Sequence, residues 1–279
     1  MAFLTRVPAA VLLVVMVALT LATFGASHLV LTHRIRHRVR RHRAVGGVII
    51  TVASTIYGTI LGFMTVVAWQ HYQEARELVV AESDADIDTW HTAVALPPEP
   101  RQRVRGDMIA YANLMVNHEW AAMKRGSVDA KPAFLGMDAI DAAATFNPAN
   151  AAESNAQNAT LQQLTIMHDA RQRRIAINDG AISWFQWLVL IEGAIWIAGL
   201  AWVFGTRHMG IHLLMSSTVV VLITSMLVLL FELQYPFRSD IGIPPTPWNH
   251  AIEHIRQMES GERPPINAPG DTKAPVDMN

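Results

Sequence analysis

Residues 48–69, VIITVASTIYGTILGFMTVVAW, decide the fold class of this chain. They hold no charge over roughly the 20 positions a helix needs to cross a bilayer. Within the run, Ser54, Gly58 and Gly62 recur every fourth residue, with Thr51, Thr55, Thr59 and Thr65 beside them at helical spacing. One side of such a helix is smooth and mildly polar, while Ile49, Ile56, Ile60, Leu61, Phe63 and Val67 offer bulk to lipid or to packed neighbours. Two readings fit this stripe. It lines a pore, or its small residues let another helix approach closely.

The composition agrees with a membrane protein. Of 279 residues, 51% are hydrophobic and only 16% charged, against about 25% charged in ordinary globular domains. A net charge of −1 gives no argument for nucleic acid as a partner. With no cysteine there is no disulfide, iron–sulfur cluster or thiol nucleophile.

The flanks of the stretch give it a direction. Upstream lies an apolar run at 8–31, followed at once by THRIRHRVRRHR within the loop 32–44. A signal peptide carries its charge before the apolar core, and here only Arg6 and the amino terminus precede it. Arg34, Arg36, Arg38, Arg40, Arg41 and Arg43 resist translocation, so the loop is expected in the cytoplasm, against anionic lipid heads. The helix at 45–69 then exits to the outer face, and the polar region 70–180 is expected outside with both termini. Arg171, Arg173 and Arg174 oppose this orientation but are fewer.

The helix is expected to outlast the membrane, because no Gly or Pro follows Gly62 until Pro97 and Pro98. Further helices are expected at 101–124 and 151–178. The span 126–149 reads as mixed, broken by Pro132, Gly136 and Asn147-Pro148. Two more apolar runs follow, at 184–204 and 212–233, with Trp69, Trp184 and Trp187 expected at one membrane interface and Trp202 at the other. A Pro-rich segment and short helix fill 234–259, the helix starting with Thr246 as N-cap and Pro247 as its first residue. The tail 260–279 reads as disordered. The expected fold is all-α: four transmembrane helices, with a helical soluble bundle inserted between spans two and three.

Three groups of residues invite a chemical reading. His250, Glu253 and His254 fit H-x-x-E-H, an inverted zinc-protease signature. A catalytic zinc needs a third protein ligand, and the short acidic tail downstream offers no helix to hold one, so the motif is set aside for a surface helix. Glu82, Asp84, Asp86 and Asp88 form two i, i+4 pairs on different helix faces, without the turn that wraps a cation, and read as a solvated face. Glu192 lies about eight residues into the third span, where a carboxylate is costly. It either serves ion or proton passage or is tied to a hydroxyl of the fourth span, among Ser216, Ser217, Thr218, Thr224 and Ser225. Neither a hydrolase triad nor a nucleotide-binding loop occurs, and no cofactor is expected.

Four blocks together suggest a family. WQHYQEAREL after the second span, Tyr111 with VNHEWAAMKRG, ARQRRI leading into WFQWLVLIEGA, and YPFRSDIGIPPTPWNHAI after the fourth span resemble the bestrophin-like domain family of membrane proteins, over about residues 45–258. The resemblance implies a distant likeness to bestrophins, pentameric and mainly anion-conducting channels whose second span lines the pore. Their pore has a neck of bulky apolar residues where this stripe is Thr, Ser and Gly, and their domain between spans two and three is cytosolic, opposite to the side the Arg loop argues for. The expected function is an ion channel for anions, built as a homo-oligomer around the second span in the inner or plasma membrane. The alternative is a non-catalytic scaffold or accessory subunit of a membrane complex that docks a partner through its helical extramembrane region.

Overall fold

A computed structural model describes residues 10–23, 43–203, 209–239 and 241–261. Arg34, Arg36, Arg38, Arg40 and Arg41 lie outside the described residues, as do most of the expected tail and the ends of the first apolar run; Arg43 is the first residue of a helix. The described residues are helical with no strand. They form α1 (Ala10–Thr23), α2 (Arg43–Thr92), α3 (Pro98–Leu114), α4 (Trp120–Lys124), α5 (Lys131–Ala144), α6 (Ala151–Ile177), α7 (Trp184–Val203), α8 (Met209–Gln234) and α9 (Thr246–Ser260).

α2 has 50 residues, which at 1.5 Å each is about 75 Å, more than twice the roughly 30 Å hydrocarbon thickness of a bilayer. Among the described residues, three helical stretches are long and apolar enough to cross a membrane: one within Gly46–Ala95, Trp184–Ala201 and Leu213–Gln234. The shorter α1 is apolar as well.

The chain divides into two compact units, and α2 contributes to both. The first takes the described residues of Met1–Val79, Trp120–Val128 and Arg171–Pro244. Its apolar core joins α2, α7 and α8 through Tyr57, Leu61 and Ala68, Trp187 and Leu190, and Val228, Leu230 and Phe231, with Leu12 of α1 against them. Two polar contacts inside it join separate helices. The Trp187 indole donates to Gln234 Oε1 at 2.9 Å, and the Tyr57 hydroxyl to the Leu190 carbonyl at 3.1 Å. α7 starts on a capping box: Gln186 N–H donates to Ser183 Oγ at 3.3 Å, and Ser183 N–H to Gln186 Oε1 at 2.8 Å.

The second unit takes the described residues of Val80–Glu119, Asp129–Ala170 and Pro245–Asn279. Here α3 packs against α5 and α9. Two expectations need correction. The stretch read as mixed contains α5, because its breakers stand at helix edges: Pro132 occupies the first turn, where its missing N–H costs nothing, and Asn147-Pro148 follow the end. Gly136 faces Met167 and Tyr111 closely, so it serves packing rather than a turn. α9 begins one residue earlier than expected. Pro245 is its N-cap, its carbonyl accepting from Asn249 N–H at 3.1 Å, and Thr246 makes no side-chain cap.

Candidate pore face and buried acids

At roughly 100° per residue, the residues of α2 in the first unit sort into three sectors. One is the core face of Ala53, Tyr57, Leu61, Met64 and Ala68. A second is apolar and open, with Ile56 58%, Ile60 41% and Phe63 69% exposed. The third is the stripe. Thr51, Thr55, Gly58, Thr59 and Gly62 are exposed, while Ser54 and Thr65 are half-buried at its border with the core face. A Cβ added at Gly58 or Gly62 would meet nothing within 4 Å. Among the described residues, no other span therefore packs on these glycines.

The hydroxyls of the stripe are satisfied within α2. Thr51, Thr55, Thr59 and Thr65 each donate to the carbonyl four residues back, Gly47, Thr51, Thr55 and Leu61, all at 2.9 Å. Each hydrogen is thus turned to the backbone and each oxygen lone pair outward. What fixes the stripe's direction is a junction that sequence reasoning missed. Gly193 of α7 lies against the Tyr57 ring so closely that a Cβ there would stand 2.5 Å from Cδ2 and 2.6 Å from Cε2. A glycine inside an apolar span was the available signal.

Glu192, beside that junction, points away from the core and is exposed. Its Oε1 accepts a long 3.4 Å bond from the Trp196 indole of the same helix. Four of the hydroxyls considered as its partners bond elsewhere: Ser216 donates to the Ala201 carbonyl, Ser217 and Thr218 to carbonyls of α8, and Thr224 pairs with the Thr20 hydroxyl at 3.5 Å.

The acidic run does not form one solvated face. Asp84 and Asp88 are exposed, but Glu82 and Asp86 are fully buried. Helical periodicity puts the two pairs on different faces, and the other helices of the second unit cover one of them. Glu82 Oε1 accepts from the Tyr111 hydroxyl at 2.6 Å. Both oxygens of Asp86 are buried without a hydrogen-bond partner. Burial, and then the neighbouring Glu82 charge, push the Asp86 carboxyl well above the usual carboxylate range.

The H-x-x-E-H motif is dispersed on α9. His250 is exposed, Glu253 accepts from Arg256 and Gln257 at 3.1 Å each, and His254 faces His91 at the end of α2. Among the described residues no three His, Cys, Asp or Glu stand together as metal ligands.

Comparison with known proteins now bears on this arrangement. The bestrophin-like domain pattern matches residues 9–248. The chain belongs to the bestrophin-like family. Solved structures agree in fold. A bacterial bestrophin homologue from Klebsiella pneumoniae carrying a Leu-to-Thr substitution is 14% identical with a TM-score of 0.60, over 91% of this chain and 98% of its own. A variant of the Klebsiella homologue with an Ile-to-Thr substitution gives 14% and 0.61 over 77% and 88%. A crystal structure described as a membrane protein gives 12% and 0.67 over 90% and 99%. Proteins of curated function give no match.

Proposed function

We propose that this bestrophin-like protein is the subunit of a homo-oligomeric anion channel, with the stripe of α2 lining the ion path. The observation that carries this is the bare stripe. Thr51, Thr55, Gly58, Thr59 and Gly62 are exposed on a helix whose adjoining face is anchored in the core by Tyr57 and Leu61. Polar groups on a membrane helix that its own chain leaves uncovered belong against water or against another subunit. The hydroxyls suit an anion at little cost. Each carbonyl they bond also serves the helix ladder, so a Thr hydroxyl can turn its hydrogen to a passing ion without orphaning a backbone group. The apolar sector beside the stripe, with Ile56, Ile60 and Phe63, faces lipid.

The topology that accompanies this has four spans, residues 8–31, 45–69, 184–204 and 212–233, with the Arg-rich loop in the cytoplasm and 70–180 outside. A charge bias of this size next to a span is the support for it. Flux assays in proteoliposomes test the function. Thr55→Leu and Thr59→Leu are expected to lower chloride efflux about tenfold or more, because a bulky apolar group replaces a hydroxyl at the path. Unchanged efflux in both folded variants would remove the stripe from the pore.

A further inference from the structure

Outside the membrane stretch, two imidazoles from distant parts of the chain meet within the second unit. His91, in the last turn of α2, and His254, in the middle of α9, approach with their Nε2 atoms 3.1 Å apart. Their ring centroids are 5.4 Å apart and the planes cross at 66°. That centroid separation is about the nitrogen–nitrogen distance plus the two ring radii, so the nitrogens meet head-on. Two imidazoles sharing a metal ion would converge on it at an angle, and no group of three ligands surrounds the pair among the described residues. Head-on geometry is that of a hydrogen bond, in which one Nε2 carries the hydrogen and the other offers its lone pair.

We propose that the His91–His254 pair is an acid-labile latch holding α9 to the end of α2. The bond exists with both rings neutral and survives one added proton. With two added protons both Nε2 atoms carry hydrogens, no acceptor remains, and two like charges face each other across the contact.

The surroundings decide where this happens. Asp88, one turn back on α2, favours a charged His91, while Arg105 of α3 disfavours it. Arg105 is held in place, its guanidinium 3.9 Å from the centre of the Trp90 ring and its Nε donating to the Trp90 carbonyl at 3.0 Å. Trp90 also packs edge-on against His91. On α9, His250 and Glu253 are exposed, Glu253 is engaged by Arg256 and Gln257, and the Glu259 charge acts on Arg105. Burial and then the facing His254 lower the His91 pKa, which favours the closed latch and places its opening on the acid side. α9 is otherwise pinned by Trp248, Ala251 and Ile255, so opening loosens the helix without unfolding the unit.

Hydrogen exchange of the full-length protein in detergent tests the latch, with rates in α9 normalised to the intrinsic rate at each pH. Exchange in α9 is expected to be about tenfold faster at pH 5 than at pH 7.5. His91→Gln and His254→Gln, which cannot gain a proton, are expected to abolish that dependence, and His250→Gln to keep it. The thermal midpoint of each variant at pH 7.5 reports whether it folds. Exchange without pH dependence in the parent, dependence persisting in both latch variants, or its loss in His250→Gln would overturn the latch. None of these readouts requires ion flux, so the latch can fail while the channel stands, and the reverse.

Discussion

Gly193→Ala is the substitution by which the packing of α2 is best tested. The added methyl would stand 2.5 Å from Tyr57 Cδ2 and 2.6 Å from Cε2, about an ångström inside the usual carbon–carbon contact distance. The obstacle is the body of a ring rather than the end of a flexible side chain, and Tyr57 is only 8% exposed in a packed core. Moving the ring also strains its bond to the Leu190 carbonyl, 3.1 Å long. Overpacking costs about 1–3 kcal/mol and the hydrogen bond about 1 kcal/mol, so a loss of about 2–4 kcal/mol is expected. Equilibrium unfolding in mixed micelles measures it, with Gly199→Ala as control because a Cβ there meets nothing within 4 Å. In a Tyr57→Ala background the Gly193→Ala cost is expected to fall close to zero. A Gly193→Ala variant as stable as Gly199→Ala would refute the junction, and with it the direction assigned to the stripe.

Three further outcomes follow from the buried polar groups. Tyr111→Phe removes a 2.6 Å donor from buried Glu82, and a loss of about 2 kcal/mol is expected in the same unfolding assay. Asp86→Asn is expected to match or exceed the parent in stability at pH 7.5. Since burial raises the Asp86 pKa, the folded state holds its proton above the pH at which the unfolded chain releases it. The parent therefore loses stability as pH rises from the ordinary Asp value to the raised one, and the variant does not. For His91 the shift is the opposite: its lowered pKa makes its contribution present above the ordinary His value near 6.5 and lost as pH falls below it. His91→Gln is thus expected to flatten the thermal midpoint between pH 7.5 and 5.

Much of the helical framework is legible in the sequence. Apolar runs of spanning length mark α7, α8 and the first half of α2, and the absence of Gly or Pro after Gly62 foretells that α2 continues to Thr92. α5 is harder to see because Pro132 breaks a helix only in its interior, and the sequence does not say where the first turn falls. The stripe is visible in sequence as a spacing; its exposure is a property of what packs on the rest of α2. Glu82 and Asp86 mislead because carboxylates read as solvated, whereas their burial depends on helices from elsewhere in the chain. The same holds for His91 and His254, separated by 163 positions.

The pore assignment rests on which side of α2 meets water, and a chain without cysteine permits a direct measurement of that. Single cysteines at Thr51, Thr55, Thr59, Ile56 and Ile60 are challenged, in the reconstituted protein, with a charged thiol reagent that does not cross the bilayer. Thr51→Cys, Thr55→Cys and Thr59→Cys are expected to react and lose ion flux on reaction, while Ile56→Cys and Ile60→Cys stay unmodified. Protection of the three threonine positions, with flux preserved, would contradict the pore assignment.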